Sequence, residues 1–215
     1  MTASLPPTST LDGRFVSLSP VTPDDLPALF DAIGSPRVFA GGYGGGVSAL
    51  RSDRVAFAEW LGAYLPFASG TPYAIRLRGG PHDGALVGTS SLADLDLPNE
   101  SAHIGWTAYD ARVWGTEVNA ETKLLLLSRA FDHGFGRVKL QADAANTRSR
   151  AAILRLGATF EGVLRRERRK PDGSWRDTAV YSILSEEWPA VRAGLEERLT
   201  ARDGRPVLYR SVEPT

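Results

Sequence analysis

The sequence predicts an α/β (α+β) fold built on a mixed, mostly antiparallel central sheet with helices on both faces. Two observations carry this reading. Apolar stripes at helical spacing alternate along the chain with short strand-like runs, and the runs are divided by turn signals at Gly79-Gly80-Pro81, Pro98-Asn99 and Lys170-Pro171-Asp172-Gly173-Ser174. The order that results is strand, two helices, three or four strands, helix, strand, helix, two strands, helix. A sheet with helices packed on its faces accommodates that order.

Residues 1–10 (MTASLPPTST) are rich in Pro, Ser and Thr and are expected to form a flexible N-terminal segment, followed by a single domain over 11–200 and a C-terminal tail over 201–215. Phe15, Val16 and Leu18 mark the first strand. Thr22 offers a helix N-cap, Pro23 suits the first helical position, Asp24 and Asp25 complement the dipole, and Leu26, Leu29, Phe30 and Ile33 form one stripe. The glycine-rich run from Gly41 to Gly46 reads as a loop and a rim over a binding site, followed by a helix over 56–65. Strands are expected at 73–77, 85–92 and 102–109. A long helix over 118–133 places Ala120, Leu124, Leu127 and Phe131 inward. A strand at 138–142 leads to a helix capped by Asn146 and ended by Gly157. Two strands, 160–168 and 175–184, form a hairpin, and a last helix from Ser185 buries Trp188, Val191, Leu195 and Leu199.

Composition excludes several functional classes. The 25 basic and 25 acidic residues cancel, so no global field favours nucleic acid or membrane as partner, and nucleic acid is not expected. Without cysteine there is no disulfide, thiol nucleophile or thiolate metal site. No apolar run reaches about 18 residues and no signal-peptide pattern opens the chain, so a cytoplasmic protein is expected. His82, His103 and His133 lack metal-ligand spacing, and no metal is expected. Gly-x-Ser-x-Gly and Gly-Lys-Ser/Thr motifs do not occur. The match Gly44-x-Gly46-x-x-Ala49 to a dinucleotide loop has no strand before it and reads as a flexible loop. Arg165, Arg166, Arg168, Arg169 and Lys170 cluster at the hairpin edge, either as a solvated strand end or as a dock for an acidic protein or ribosomal RNA.

From Ile104 to Leu199 the chain resembles the GNAT superfamily of N-acetyltransferases, and within it the Rim-type ribosomal-protein branch. Four stretches carry the likeness: IGWTAYDARVWGTEVNAETKLLLLSRAF, DAANTRSRAAILRLGA, EGVLRRERRKPDGSWRD and VYSILSEEW. The resemblance implies an acetyl-CoA-dependent transferase with a cofactor loop over Arg112, Val113, Trp114, Gly115, Thr116 and Glu117. Such a loop presents backbone N–H groups and a helix N-terminus to the CoA pyrophosphate, which demands small or averted side chains. Gly115 meets the demand. Glu117 departs from the family's Gly or Ala, and is repulsive to a phosphate unless it turns to solvent or pairs with Arg112 or Lys123. By the same resemblance Asn146 binds the pantetheine arm, and Ser149 stands near the sulfur in place of a tyrosine that many members carry where this chain has Ile153. Trp175, Asp177 and Tyr181 are then expected to border the acceptor cleft.

Acetyl transfer needs a neutral amine and a donor for the carbonyl oxygen as it gains charge. Backbone near Thr107 and Tyr109 is the expected donor. His103 stands where Rim-type relatives often have glutamate, and an imidazole of pKa ~6.5 suits base work. An α-amine of pKa ~7.8 is already about one-seventh neutral at pH 7, whereas a lysine of pKa ~10.4 must lose about 4.6 kcal/mol to become so. A protein N-terminal α-amine is therefore the expected acceptor, ahead of a small-molecule amine. A catalytically weak acyl-CoA-binding module and an RNA binder using the arginine hairpin are the readings from other classes. A homodimer is compatible with the sequence.

Overall fold

The computed structural model describes residues 2–202 and 204–212. Among the described residues eight strands are present: β1 (Leu11–Asp12), β2 (Val16–Pro20), β3 (Gly70–Leu77), β4 (Leu86–Asp96), β5 (Ser101–Tyr109), β6 (Arg137–Asp143), β7 (Thr159–Arg169) and β8 (Trp175–Leu184). They form one sheet in the order β1-β2-β3-β4-β5-β6-β8-β7. Six helices accompany them: α1 (Asp25–Ile33), α2 (Pro36–Phe39), α3 (Arg54–Tyr64), α4 (Val118–Asp132), α5 (Thr147–Leu154) and α6 (Trp188–Thr200). Every expected element is present. The short α2, capped by Ser35 and opened by Pro36, lies in a stretch that the sequence reading left unassigned.

All neighbouring strands pair antiparallel except β5 and β6. Their parallel register holds for three pairs, Ser101↔Arg137, Ala102↔Val138 and His103↔Lys139, and then stops. Beyond His103, β5 continues against β4 while β6 continues against β8. The strands splay, and a wedge opens in the middle of the sheet. At the same level β5 carries a bulge: Gly105 pairs with Ser91 and Ala108 with Thr89, which leaves Trp106 and Thr107 out of register. Trp106 takes φ 49°, a left-handed value that costs a bulky residue energy and persists only where the surroundings impose it.

Two apolar clusters flank the sheet. One combines Phe15, Val16, Leu18, Ile75, Val87, Ile104 and Val138 with Leu126, Leu127 and Ala130 of α4 and Leu195 and Leu199 of α6. The other gathers Leu29, Ile33, Phe39, Phe57 and Leu61 from α1, α2 and α3. The buried stripe of α4 runs through Ala120, Lys123, Leu127 and Ala130, rotated from the expected one, so Leu124 and Phe131 are only partly covered. The helix therefore turns a lysine inward.

The first and last described segments pack on this body. Ala3 is buried and the Ser4 amide donates to the His133 carbonyl, while Arg129 donates to the Pro7 carbonyl and the Ser9 hydroxyl. Residues 205–212, expected as tail, return across the start of α4, with Val207 in the core. The strongest polar tie between sequence-distant elements is Glu121, a buried carboxylate of α4. It accepts the amides of Arg14 at 2.7 Å, Phe15 at 2.6 Å and Val16 at 2.8 Å, so it fixes the entry of β2. Glu121→Ala leaves three amides without this acceptor. It should lower stability by about 3 kcal/mol, measured as a fall in urea midpoint, with Glu121→Gln losing less. A loss under about 1 kcal/mol in the alanine variant would mean that water replaces the carboxylate.

Candidate active site

The wedge between β5 and β6 forms a cleft with a volume of about 450 Å³. Its walls bring together Thr107, Tyr109, Val113, Trp114, Gly115, Thr116, Asn146, Ser149 and His103 of the expected residues. Arg112 and Glu117 do not line it. Asp110 holds Arg112 through contacts of 2.6–3.1 Å, and the guanidinium lies over the Tyr209 ring at 4.1 Å. Glu117 pairs with Arg202, just past α6, and not with Arg112 or Lys123. Its charge is neutralised from a segment that spacing alone could not relate to it.

At the phosphate end, Gly115 adopts φ +71°, where a side chain would be strained, and Thr116 Oγ1 donates to the Val113 carbonyl at 2.6 Å. This turn feeds directly into α4. First-turn amides of a helix have no intrahelical acceptor, and among the described residues only that of Val118 meets a side-chain oxygen, Thr116 Oγ1 at 3.5 Å. The donors and the positive end of a 15-residue helix therefore face the mouth of the cleft. Across the cleft, Asn146 caps α5 by accepting the Ser149 amide at 3.0 Å and donates to the Gly41 carbonyl, so it also ties down the glycine-rich loop. The Ser149 hydroxyl makes no hydrogen bond among the described residues and stands at the wall.

His103 is 3% exposed and is not on a solvent face. Its Nδ1 lies 3.0 Å from Asp94 Oδ2, and Asp94 is in turn held by the Ser69 hydroxyl at 3.1 Å. With Nδ1–H donated to the carboxylate, Nε2 is the lone-pair nitrogen, and it is buried without a partner. The ring lies over Gly105, where a Cβ would come 2.7 Å from Nε2. Glycine there leaves room for the imidazole to pack against the β5 backbone. Burial lowers the imidazole pKa below its ordinary value, the Asp94 hydrogen bond opposes this, and Lys139 and Lys123 add to the lowering. Asp94 was not singled out from sequence. Alternation alone could not have found it: Ala93, not Asp94, is the register partner of His103, and Asp94 reaches the imidazole from an irregular stretch of β4 where it adopts φ 50°.

The acceptor-side expectations fare differently. Tyr181 is sealed in the core, where its hydroxyl accepts from Arg150 Nε at 3.0 Å. Asp177 accepts the Arg166 amide at 2.7 Å across the hairpin, and Trp175 is 44% exposed beneath the guanidinium of Arg166 at 4.7 Å. None of the three lines the cleft. The hairpin contributes Glu167, Arg168 and Arg176 to it, and the α3 side contributes Tyr43 and Tyr64. Strand alternation turns residue 176 inward between its two outward neighbours.

A family model described as "Acetyltransferase (GNAT) domain" matches residues 16–159. The chain belongs to the GNAT acetyltransferase family. A curated relative, "Putative ribosomal N-acetyltransferase YdaF" of Bacillus subtilis, is 36% identical over 109 residues, a match spanning 50% of this chain and 58% of that protein. Among solved structures, a GCN5-related N-acetyltransferase from Brucella melitensis superposes with TM-score 0.82 at 24% identity, covering 97% of this chain and 95% of its own. Mycobacterium smegmatis RimJ in complex with CoA-disulfide superposes with TM-score 0.72 at 21% identity, covering 95% and 100%. These two likenesses concern the fold.

Acetyl-CoA, the thioester donor of GNAT enzymes, is polyanionic, and the cleft suits it. Its walls carry Lys123, Lys139, Arg148, Arg155, Arg168, Arg176 and Arg198 against Asp94, Asp143 and Glu167, in a chain of zero net charge. Lys123 is the deepest of these cations. Its Nζ donates to Ser90 Oγ at 3.0 Å and Thr107 Oγ1 at 2.8 Å behind the bulge, and burial brings its pKa down to about 7. Between that value and the ordinary 10.5 the unfolded chain binds more protons than the folded one, so this group makes stability rise with pH. The stability of wild type relative to Lys123→Met should accordingly improve by about 2 kcal/mol from pH 7 to pH 9 in chemical denaturation. A pH-independent difference would show that Lys123 keeps its ordinary pKa.

Proposed function

We propose that this chain is an acetyl-CoA-dependent N-acetyltransferase that modifies the α-amine of a protein N-terminus, with His103 as general base. The observation that carries the reading is the buried, unpartnered Nε2 of His103, on a residue that lines the cleft beside the β5 bulge and is oriented by Asp94. The name of the Bacillus subtilis relative supports the acceptor class. So does the proton balance: a base whose pKa burial has lowered can take a proton from an α-ammonium far more readily than from a lysine.

The donor supplies an acetyl thioester, which the neutral amine attacks directly. Val113 to Thr116 and the α4 N-terminus hold the phosphates, and Asn146 and the splayed edges of β5 and β6 take the pantetheine arm. The backbone at Trp106 and Thr107, out of register with β4, offers N–H groups to the carbonyl oxygen. His103 Nε2 accepts the ammonium proton while Asp94 holds the tautomer. Ser149 donates a hydrogen bond toward the departing thiolate, so Ser149→Ala should lower kcat more than it weakens CoA binding.

The test is release of free CoA thiol from acetyl-CoA with three acceptors: a peptide with a free N-terminus, the same peptide N-blocked but bearing lysine, and a small diamine. Turnover is expected with the first. Turnover of the diamine alone would move the acceptor to small molecules, and CoA binding without any thiol release would make the chain a binding module.

For the productive acceptor, kcat/KM should rise with pH through a limb below about 6.5, set by the lowered pKa of His103, and rise again near the amine pKa of ~7.8. His103→Gln should remove the lower limb and cost about 10–100-fold, near the low end of general-base effects because the α-amine is partly neutral already. Asp94→Asn should shift the limb to still lower pH, since it deletes the interaction that raises the imidazole pKa. An unchanged profile in both variants would leave deprotonation to solvent.

A further inference from the structure

The loop that begins α4 is covered by the C-terminal segment. Val207 anchors that segment in the core, Pro206 packs on Gly80, and Tyr209 stacks on His82 at 3.9 Å. The Arg210 amide donates to the Arg112 carbonyl at 2.9 Å. These contacts dock the segment without any help from the Arg210 side chain. Its guanidinium then lies directly over Gly115: Nη2 donates to the Gly115 carbonyl at 2.9 Å, and a Cβ on Gly115 would stand 3.0 Å from Nη1. The remaining N–H groups of this exposed side chain meet no carboxylate within ion-pair distance among the described residues.

Arg112, the cation that the loop itself supplies, is committed elsewhere. Asp110 takes its Nε and Nη2 donors, and Tyr209 covers its face. The charge that would complement phosphate oxygens at this turn is thus delivered from about a hundred residues further along the chain. Arg210 sits against the one loop residue without a side chain, beside the positive end of α4.

On the reading that this cleft binds acetyl-CoA, we propose that the C-terminal segment completes the phosphate site and that Arg210 is a ligand to the phosphates of the nucleotide. A planar fork of donors matches phosphate oxygens bidentately, while one donor stays on the Gly115 carbonyl and sets its orientation. The segment is then part of the binding site and not an appendage to the domain.

The test is calorimetric titration of the full chain and its Arg210→Ala and Arg210→Gln variants with CoA, dephospho-CoA and pantetheine. Both variants should bind CoA about tenfold more weakly or worse. Neither should change pantetheine binding, which involves no phosphate, nor the melting temperature of the unliganded protein. An equal loss with CoA and dephospho-CoA assigns Arg210 to the diphosphate, and a loss confined to CoA assigns it to the 3′-phosphate. Wild-type affinity for CoA in both variants would overturn the proposal. So would an equal loss with pantetheine, which would make Arg210 a support for the fold. Failure of the wild-type chain to bind CoA at all would instead remove the acetyl-CoA reading on which the proposal rests.

Discussion

Three parallel residue pairs between β5 and β6 are the constraint on which the rest of the molecule depends. Each strand has a stronger commitment elsewhere, β5 to β4 and β6 to β8, so the parallel pairing ends where the sheet's twist draws the two apart. A gap in a sheet is costly unless its exposed N–H and C=O groups find partners. Here the gap is flanked by a helix N-terminus, a capped helix and a bulge, all of which present donors to the same space. The cleft is therefore a product of strand pairing, and the side chains that line it inherit their positions from that pairing.

The bulge in β5 links architecture to chemistry. It re-aims the strand so that His103 and Trp106 share one face, their rings 5.1 Å apart, while Thr107 turns to the opposite face and meets Lys123 and Ser90. Holding Trp106 at a positive φ carries an energetic cost that packing against the α1–α3 cluster helps to offset. Strain of this kind is informative because it sits where the backbone must leave the ladder to offer free N–H groups. The bulge, the strained Trp106 and the cleft-lining His103 thus fall within one stretch of six residues, 103–108.

Much of this was legible in the sequence, and the failures have physical causes. Element order followed from turn residues and apolar spacing, and Asn146 was identifiable as a cap because the rule is local. The inward face of α4 was misread by one position because Leu124 and Phe131 look more apolar than Lys123 and Ala130. A lysine on a buried face defeats a hydrophobicity argument, although the spacing of Ala120, Lys123, Leu127 and Ala130 was there to be read. The contacts of Glu117 with Arg202 and of Gly115 with Arg210 were invisible for another reason. They join residues more than eighty positions apart through an irregular segment, and no periodicity encodes such a return. Tyr181 and Trp175 show the converse error, in which motif likeness suggested a cleft residue while strand alternation already assigned them to other faces.

Two buried nitrogen bases approach the bulge from opposite sides of the sheet, and their surroundings divide the work between them. Both have pKa values pulled down by burial, which makes each able to exist uncharged near neutrality. Lys123, however, donates to two hydroxyls that are themselves 2.7 Å apart, so its protons are committed within the protein. His103 spends one nitrogen on Asp94 and leaves the other with no partner. A proton can be received only where a lone pair is available, and on the proposed reading that place is Nε2. Lys123 acts through the field it exerts: when protonated it disfavours a second positive charge on His103, and it does so from beside Thr107 of the bulge. On the proposed reading a cation there would favour negative charge developing at the bulge and help keep the base free, so that one buried group would assist both halves of the transfer without touching the reacting atoms.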